Sequence, residues 1–123
     1  MNPKEYKLIA VVGVSDDESK YGHRIFRDLL GAGYPVKGVN LKGGVVLGHA
    51  IYKRLSDLEK KPDLVLTVVP PASTLLLVEE CEKLGIKNIW MQPGSASAAA
   101  IEKARAYGIK TISACFMAVK GLW

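Results

Sequence analysis

Five short apolar runs recur along the chain, at residues 8–14, 35–39, 64–69, 88–91 and 110–113. They are rich in Val and Ile and mostly lack polar alternation. This is the pattern of strands buried on both faces of a parallel sheet. Segments with helical spacing lie between them. In the first, over about 21–32, Ile25, Phe26, Leu29 and Leu30 share one face. A short helix is predicted near 56–60. A third helix over 72–84 carries Leu75, Val78, Cys81 and Leu84 on one side, and a fourth over 96–107 carries Ala100, Ile101, Ala104 and Tyr107. Gly33, Gly85 and Gly108 each fall just past a helix, where a left-handed backbone suits glycine. Ser73 is expected to cap the third helix, and Ser95 or Ser97 the fourth.

Strand and helix thus alternate five times. Right-handed crossovers convert that alternation into an α/β fold: a single Rossmann-like, doubly wound parallel sheet with helices on both faces. The predicted strand order is 3-2-1-4-5. It puts the switch point between the first and fourth runs, with a ligand beyond their carboxyl ends. Residues 43–52 are glycine-rich and partly apolar, and are expected to form a loop or small hairpin beside that cleft.

Composition narrows the picture. The chain has 123 residues, 49% hydrophobic and 24% charged, which fits one globular domain over 1–123 with a real core. No apolar run reaches the ~18 residues of a membrane span, and the first seven residues lack the apolar stretch of an export signal, so a cytoplasmic protein is expected. Two cysteines and two histidines without ligand spacing make neither a disulfide framework nor a metal site. The net charge of +5 favours anionic partners. No basic run is interleaved with aromatics in the manner that reads bases, which argues against nucleic acid.

The candidate chemistry lies at the strand ends. The first strand closes on Gly13, Val14 and Ser15, and a polar stretch leads to a helix start at Lys20 and Tyr21, followed by Gly22, His23 and Arg24. Glycine at a strand end lets a ligand approach the backbone, and a helix start offers free N–H groups to a phosphate. The dinucleotide fingerprint is absent, because Ser15 stands where its second glycine would be. At the end of the second strand, Asn40 and Lys42 stand where an NAD site would carry a carboxylate. Lys42 is therefore the candidate partner of a ribose phosphate. Val69 and Pro70 end the third run, and proline there stiffens a wall of the cleft. Gln92, Pro93 and Gly94 form a polar turn after the fourth run. Gln92 suits either a ligand amide or a strand backbone.

Gly13-Val14-Ser15-Asp16-Asp17, Val39-Asn40 with Gly43-Gly44 and Leu47-Gly48, Tyr52, Trp90-Met91-Gln92 with Gly94, and a late Cys115 occur in an order that resembles one known family. The chain is similar to the small stand-alone CoA-binding proteins and to the amino-terminal CoA-binding domain of the succinyl-CoA synthetase alpha subunit. The resemblance spans essentially the whole chain. It implies a site for coenzyme A or an acyl-CoA, with nucleotide phosphates near Ser15 and the following loop. It further implies contacts from Asn40 and Lys42, from Val69 and Pro70, and from Gln92 to Gly94. Pro70-Pro71 departs from the charged or bulky pair frequent in stand-alone members, and Pro93 from their aliphatic residue. The synthetase reaction also needs a phosphohistidine domain and a partner subunit, so a CoA-binding module without catalysis of its own is expected. The alternatives are an NADP-type oxidoreductase, or an interaction module that keeps the fold. The apolar carboxyl end, residues 116–123, is expected to pack on the core or on a second copy in a homo-oligomer.

Overall fold

The computed structural model describes residues 5–123. The first four residues, on which the expectation of no export signal partly rests, lie outside the described residues. In chain order the elements are β1 (Ile9–Val12), α1 (Tyr21–Gly31), β2 (Val36–Val39), β3 (Val45–Val46), β4 (His49–Tyr52), a 3-10 turn (Leu55–Asp57), β5 (Leu64–Thr67), α2 (Pro71–Leu84), β6 (Asn88–Met91), α3 (Ala98–Ala106), β7 (Lys110–Ser113) and α4 (Phe116–Val119). The strands form one sheet in the order β3-β4-β2-β1-β5-β6-β7, parallel except for the β3–β4 hairpin. The expected α/β, doubly wound class is borne out.

The predicted strand order is not. The five apolar runs lie in the spatial order 2-1-3-4-5, because β5, the third run, pairs with β1 and not with β2. The position beside β2 is taken by β4, from the segment expected to be a loop or hairpin. That segment is a hairpin, but its second strand joins the sheet in parallel with β2. Counting β4 as a strand restores the order familiar from dinucleotide-binding sheets. The switch point therefore lies between β1 and β5, and Val69-Pro70 sits there. The turn after β6 is one strand further out.

Burial follows position in the sheet. β5, between two parallel neighbours, is buried throughout, and Ile9, Ala10 and Val11 of β1 are fully buried. β7 departs from the expected two-sided burial. It is an edge strand, and Lys110, Ile112 and Ser113 are exposed. A charged first residue on an open edge discourages pairing with other chains. One face of the sheet packs Ile25, Phe26 and Leu29 of α1 with Phe116 and Met117 of α4. The other packs Leu77, Val78 and Cys81 of α2 with Ala100 and Ala104 of α3. Each large apolar side chain so buried contributes about 1.5–3 kcal/mol.

The helix ends explain themselves locally. Gly33, Gly85 and Gly108 all have positive φ, as expected. Ser97 caps α3, its Oγ accepting the Ala100 N–H at 3.1 Å. Ser73 does not cap α2: that helix starts two residues earlier, at Pro71, behind Pro70, because proline suits a first helical position. The predicted helix near 56–60 reduces to the 3-10 turn at Leu55–Asp57. It has one buried apolar residue, Leu55, too little to hold a longer helix against the sheet. The carboxyl end packs on the core, as one of the two expectations had it. The Phe116 ring meets Trp90 edge-on at 4.8 Å, and buried Lys120 donates to Glu5 at 3.0 Å. Burial alone would lower the Lys120 pKa, but its bonds to Glu5 and Tyr6 more than offset this and hold it raised.

Candidate functional site

The turn after β1 is built on two glycines. Gly13 has φ 110° and donates its N–H to the Val39 carbonyl at 2.9 Å. A Cβ on Gly13 would stand 3.1 Å from the Val68 carbonyl carbon, so the turn passes tightly over the end of β5. One on Gly22 would stand 1.9 Å from the Gly13 carbonyl oxygen. Only glycine lets the first turn of α1 lie against the strand end this closely. No side chain caps α1 and its first turn holds no carboxylate, so the positive end of the helix is uncompensated by its own residues.

The loop between them is tied down from within. Ser15 Oγ accepts the Asp17 N–H at 3.0 Å, and buried His23 donates from Nδ1 to the Ser15 carbonyl at 2.9 Å. Asp17 Oδ1 accepts both the hydroxyl and the N–H of Ser19, at 2.7 and 2.9 Å, which holds its carboxyl below the usual range. Asn40 links this loop to the next: its Nδ2 donates to the Val14 carbonyl and its Oδ1 accepts the Lys42 N–H at 2.8 Å. Asn40 therefore positions two loops with both ends of its carboxamide.

Two cavities flank this junction, and their charges differ. One of about 740 Å³ lies between the β1–α1 loop and the hairpin, and carries Asp16, Asp17 and Glu18 along with His23. The other, of about 400 Å³, opens at Gly13 on the α2 side. Val12, Val39, Leu55, Val69 and Leu77 give it apolar walls, and Lys53 and Arg54 line it with Glu80. Three carboxylates repel a nucleotide phosphate from the first. The second offers apolar surface, a glycine turn and two cations.

Most of the predicted site residues fall at one edge of the sheet, at the carboxyl ends of β2, β1, β5 and β6. Gly13, Asn40 and Val69 line the 400 Å³ cavity. Val14 is fully buried beneath the turn, and Ser15 is half-buried. Lys20 is exposed just before α1, and Pro70 just before α2. Tyr21 is 63% exposed and lies against Trp123, with ring centres 6.0 Å apart. Lys42 is exposed and lines neither cavity. Gln92 is buried, its Oε1 accepting the Phe116 N–H at 2.5 Å while Nε2 faces Cys115 Sγ at 3.6 Å. The backbone it binds is the start of α4, not a strand as one of the two expectations had it. Pro93 and Gly94 are exposed at the turn that follows.

Sequence reasoning missed Gly22, Lys53, Arg54, Ser73 and Glu80 as site-forming residues. A glycine one residue into a helix was signal enough for the first. Lys53 and Arg54 depend on β4 being a strand, whereas Ser73 and Glu80 lie on α2 and come to the cavity through the packing of that helix.

The profile of the family described as CoA binding domain matches residues 7–120. Over 94 residues, 72% of the chain, it is 32% identical to the alpha subunit of acetate–CoA ligase [ADP-forming] I from Pyrococcus furiosus. The chain spans only 12% to 20% of the length of the curated relatives it matches. A conserved hypothetical protein from Pyrococcus furiosus is similar in structure, with TM-score 0.85 and 34% identity over 90% of this chain and 97% of its own. So is cell-free ID.343 from Thermus thermophilus, with TM-score 0.85 and 28% identity over the full length of both chains. The resemblance read from the motifs is borne out, and the chain belongs to the CoA binding domain family.

Proposed function

We propose that this chain is a single-domain module that binds coenzyme A or an acyl-CoA and performs no chemistry of its own. The observation that carries the reading is the apolar, cationic cavity at Gly13, at the switch point of a chain matched to CoA binding domains over residues 7–120. The adenosine end occupies that cavity. The pyrophosphate lies over Gly13, Val14 and Ser15 at the uncapped start of α1, with Lys20 and Tyr21 beside it. The pantetheine arm runs past Val69 and Pro70 toward Gln92, Pro93 and Gly94. Asn40 holds the two loops in register, and Lys42 adds general attraction. The fold supplies a surface for the anion, and a partner or a further domain supplies any reaction.

Calorimetric titration tests this directly. CoA binds with a dissociation constant on the order of micromolar, an affinity of roughly −8 kcal/mol, and NAD binds more weakly. NAD binding as tight as CoA binding refutes the reading.

A further inference from the structure

We propose that Lys53 and Arg54, rather than Lys42, recognise the ribose phosphate of the nucleotide and so determine specificity for the 3′-phosphorylated adenosine of CoA. This rests on the CoA reading above and adds to it the residues that select CoA over its unphosphorylated counterpart.

The placement follows from β4. It pairs with β2 in parallel, Gly38 opposite Ile51 and Val39 opposite Tyr52, and Asn40 donates its N–H to the Tyr52 carbonyl at 2.8 Å. The residues directly after Tyr52 therefore emerge at the same edge as those after Val39, beside the cleft. Both Lys53 and Arg54 line the 400 Å³ cavity. Lys53 has its stem laid over Gly43, where a Cβ would stand 3.2 Å from its Cγ and Cε. Arg54 is held extended at the head of the 3-10 turn, whose first N–H, on Leu55, donates to Glu80 Oε1 at 3.0 Å.

Both cations are unspent. Among the described residues neither forms an ion pair. Glu80 is the one carboxylate lining this cavity, and one of its oxygens is already committed to Leu55. Arginine meets a phosphate through two parallel N–H donors, and lysine meets it as a point charge, so the pair suits a phosphate monoester.

The rest of the cavity indicates what the phosphate is attached to. Leu41 is 81% exposed and Leu76 is 72% exposed, and they line it from two sides, one from the β2–β3 turn and one from α2. Two bare leucines over apolar walls form a slot for a flat base. Ser73 and Glu80 supply polar groups within it. A base between the leucines and a phosphate on Lys53 and Arg54 describe an adenosine phosphorylated on its ribose.

Titration of the whole chain with CoA, dephospho-CoA, adenosine 3′,5′-bisphosphate, AMP, NADP and NAD tests this. The wild type favours each 3′-phosphorylated ligand over its counterpart by about tenfold or more, the size expected of one charge-assisted hydrogen bond. Lys53→Met and Arg54→Gln each weaken CoA about tenfold and leave dephospho-CoA within about twofold. Lys42→Met weakens both alike. Equal binding of CoA and dephospho-CoA by the wild type overturns the inference while the CoA reading stands. So does a double variant that keeps the preference, or its loss in Lys42→Met. NADP binding as tight as CoA binding, with the same sensitivity to the two variants, keeps the pair as a reader of ribose phosphate and refutes the CoA reading instead. A wild type that binds none of the six refutes both.

Discussion

Gly22→Ala and Gly31→Ala are the same substitution at opposite ends of α1, and the structure gives them opposite signs. A Cβ on Gly22 would stand 1.9 Å from the Gly13 carbonyl oxygen and 2.9 Å from its carbonyl carbon. Both are backbone atoms, so no rotamer change relieves the overlap. An unstrained carbon–oxygen contact is about 3.3 Å, so the helix start must retreat by roughly 1.4 Å from β1. Forcing atoms into a packed site costs about 1–3 kcal/mol and occasionally more. The helical preference of alanine returns about 0.5–1 kcal/mol. A net loss of about 1–2 kcal/mol lowers the melting temperature by roughly 4–8 °C for a chain of this size. The retreat also pulls the helix start off the Gly13 turn, so CoA binding weakens with it. At Gly31 a Cβ meets nothing within 4 Å. There the helical preference acts alone, and stability rises by about 0.5 kcal/mol. Urea unfolding followed by circular dichroism measures both variants. A Gly22→Ala protein as stable as the wild type, or the same change for both variants, refutes the proposed contact between α1 and the β1 turn.

Three further outcomes follow from buried polar groups. The Thr67 and Thr74 hydroxyls lie 3.1 Å apart and both residues are fully buried, so Thr74→Val strands its partner at a cost of about 1–3 kcal/mol, while changing both to valine costs much less; a double-mutant cycle with additive losses would disprove the pairing. Burial, with a smaller push from Glu80, raises the Cys81 thiol to about 12, so at pH 8 a disulfide reagent modifies half-buried Cys115 in the native protein and reaches Cys81 only on unfolding. Because the folded value lies above the ordinary 9.0, the contribution of Cys81 is whole below about pH 9 and is lost as pH rises toward 12; Cys81→Ala should abolish that part of the alkaline loss, and an unchanged alkaline profile would count against it.

The class of the fold was legible because its signals are local. Five apolar runs, three helix-ending glycines and the capping serine before α3 each act within a few residues. The order of the strands was not. β4 has three apolar residues, Ala50, Ile51 and Tyr52, but Gly43, Gly44 and Gly48 mark its segment as a turn, and only Ile51 of its four residues is buried. It belongs to the sheet through backbone hydrogen bonds to β2, a pairing that leaves almost no mark on side-chain pattern. β7 errs in the other direction: its one isoleucine reads as core, yet the strand lies at an open edge and Ile112 is 49% exposed.

The same missing strand explains which part of the site stayed hidden. Gly13, Val14 and Ser15 could be placed from sequence because they follow β1 directly, and a strand end followed by a helix start defines its own geometry. Lys42 was chosen as the ribose cation by the same rule, as the basic residue nearest the end of β2. That rule assumes the chain departs after β2. Instead Gly43 and Gly44, both with positive φ, turn it into the hairpin, and β4 runs back alongside β2 in the same direction. Two parallel neighbours end at one edge, so every residue placed after β2 has a competitor placed after β4. Lys42 and Lys53 are such competitors, and sequence distance from the strand end cannot choose between them. In the structure Lys53, not Lys42, lines the cavity, its stem laid over Gly43 where the absence of a side chain leaves room for it, and on that ground our proposal gives the ribose phosphate to the second strand end.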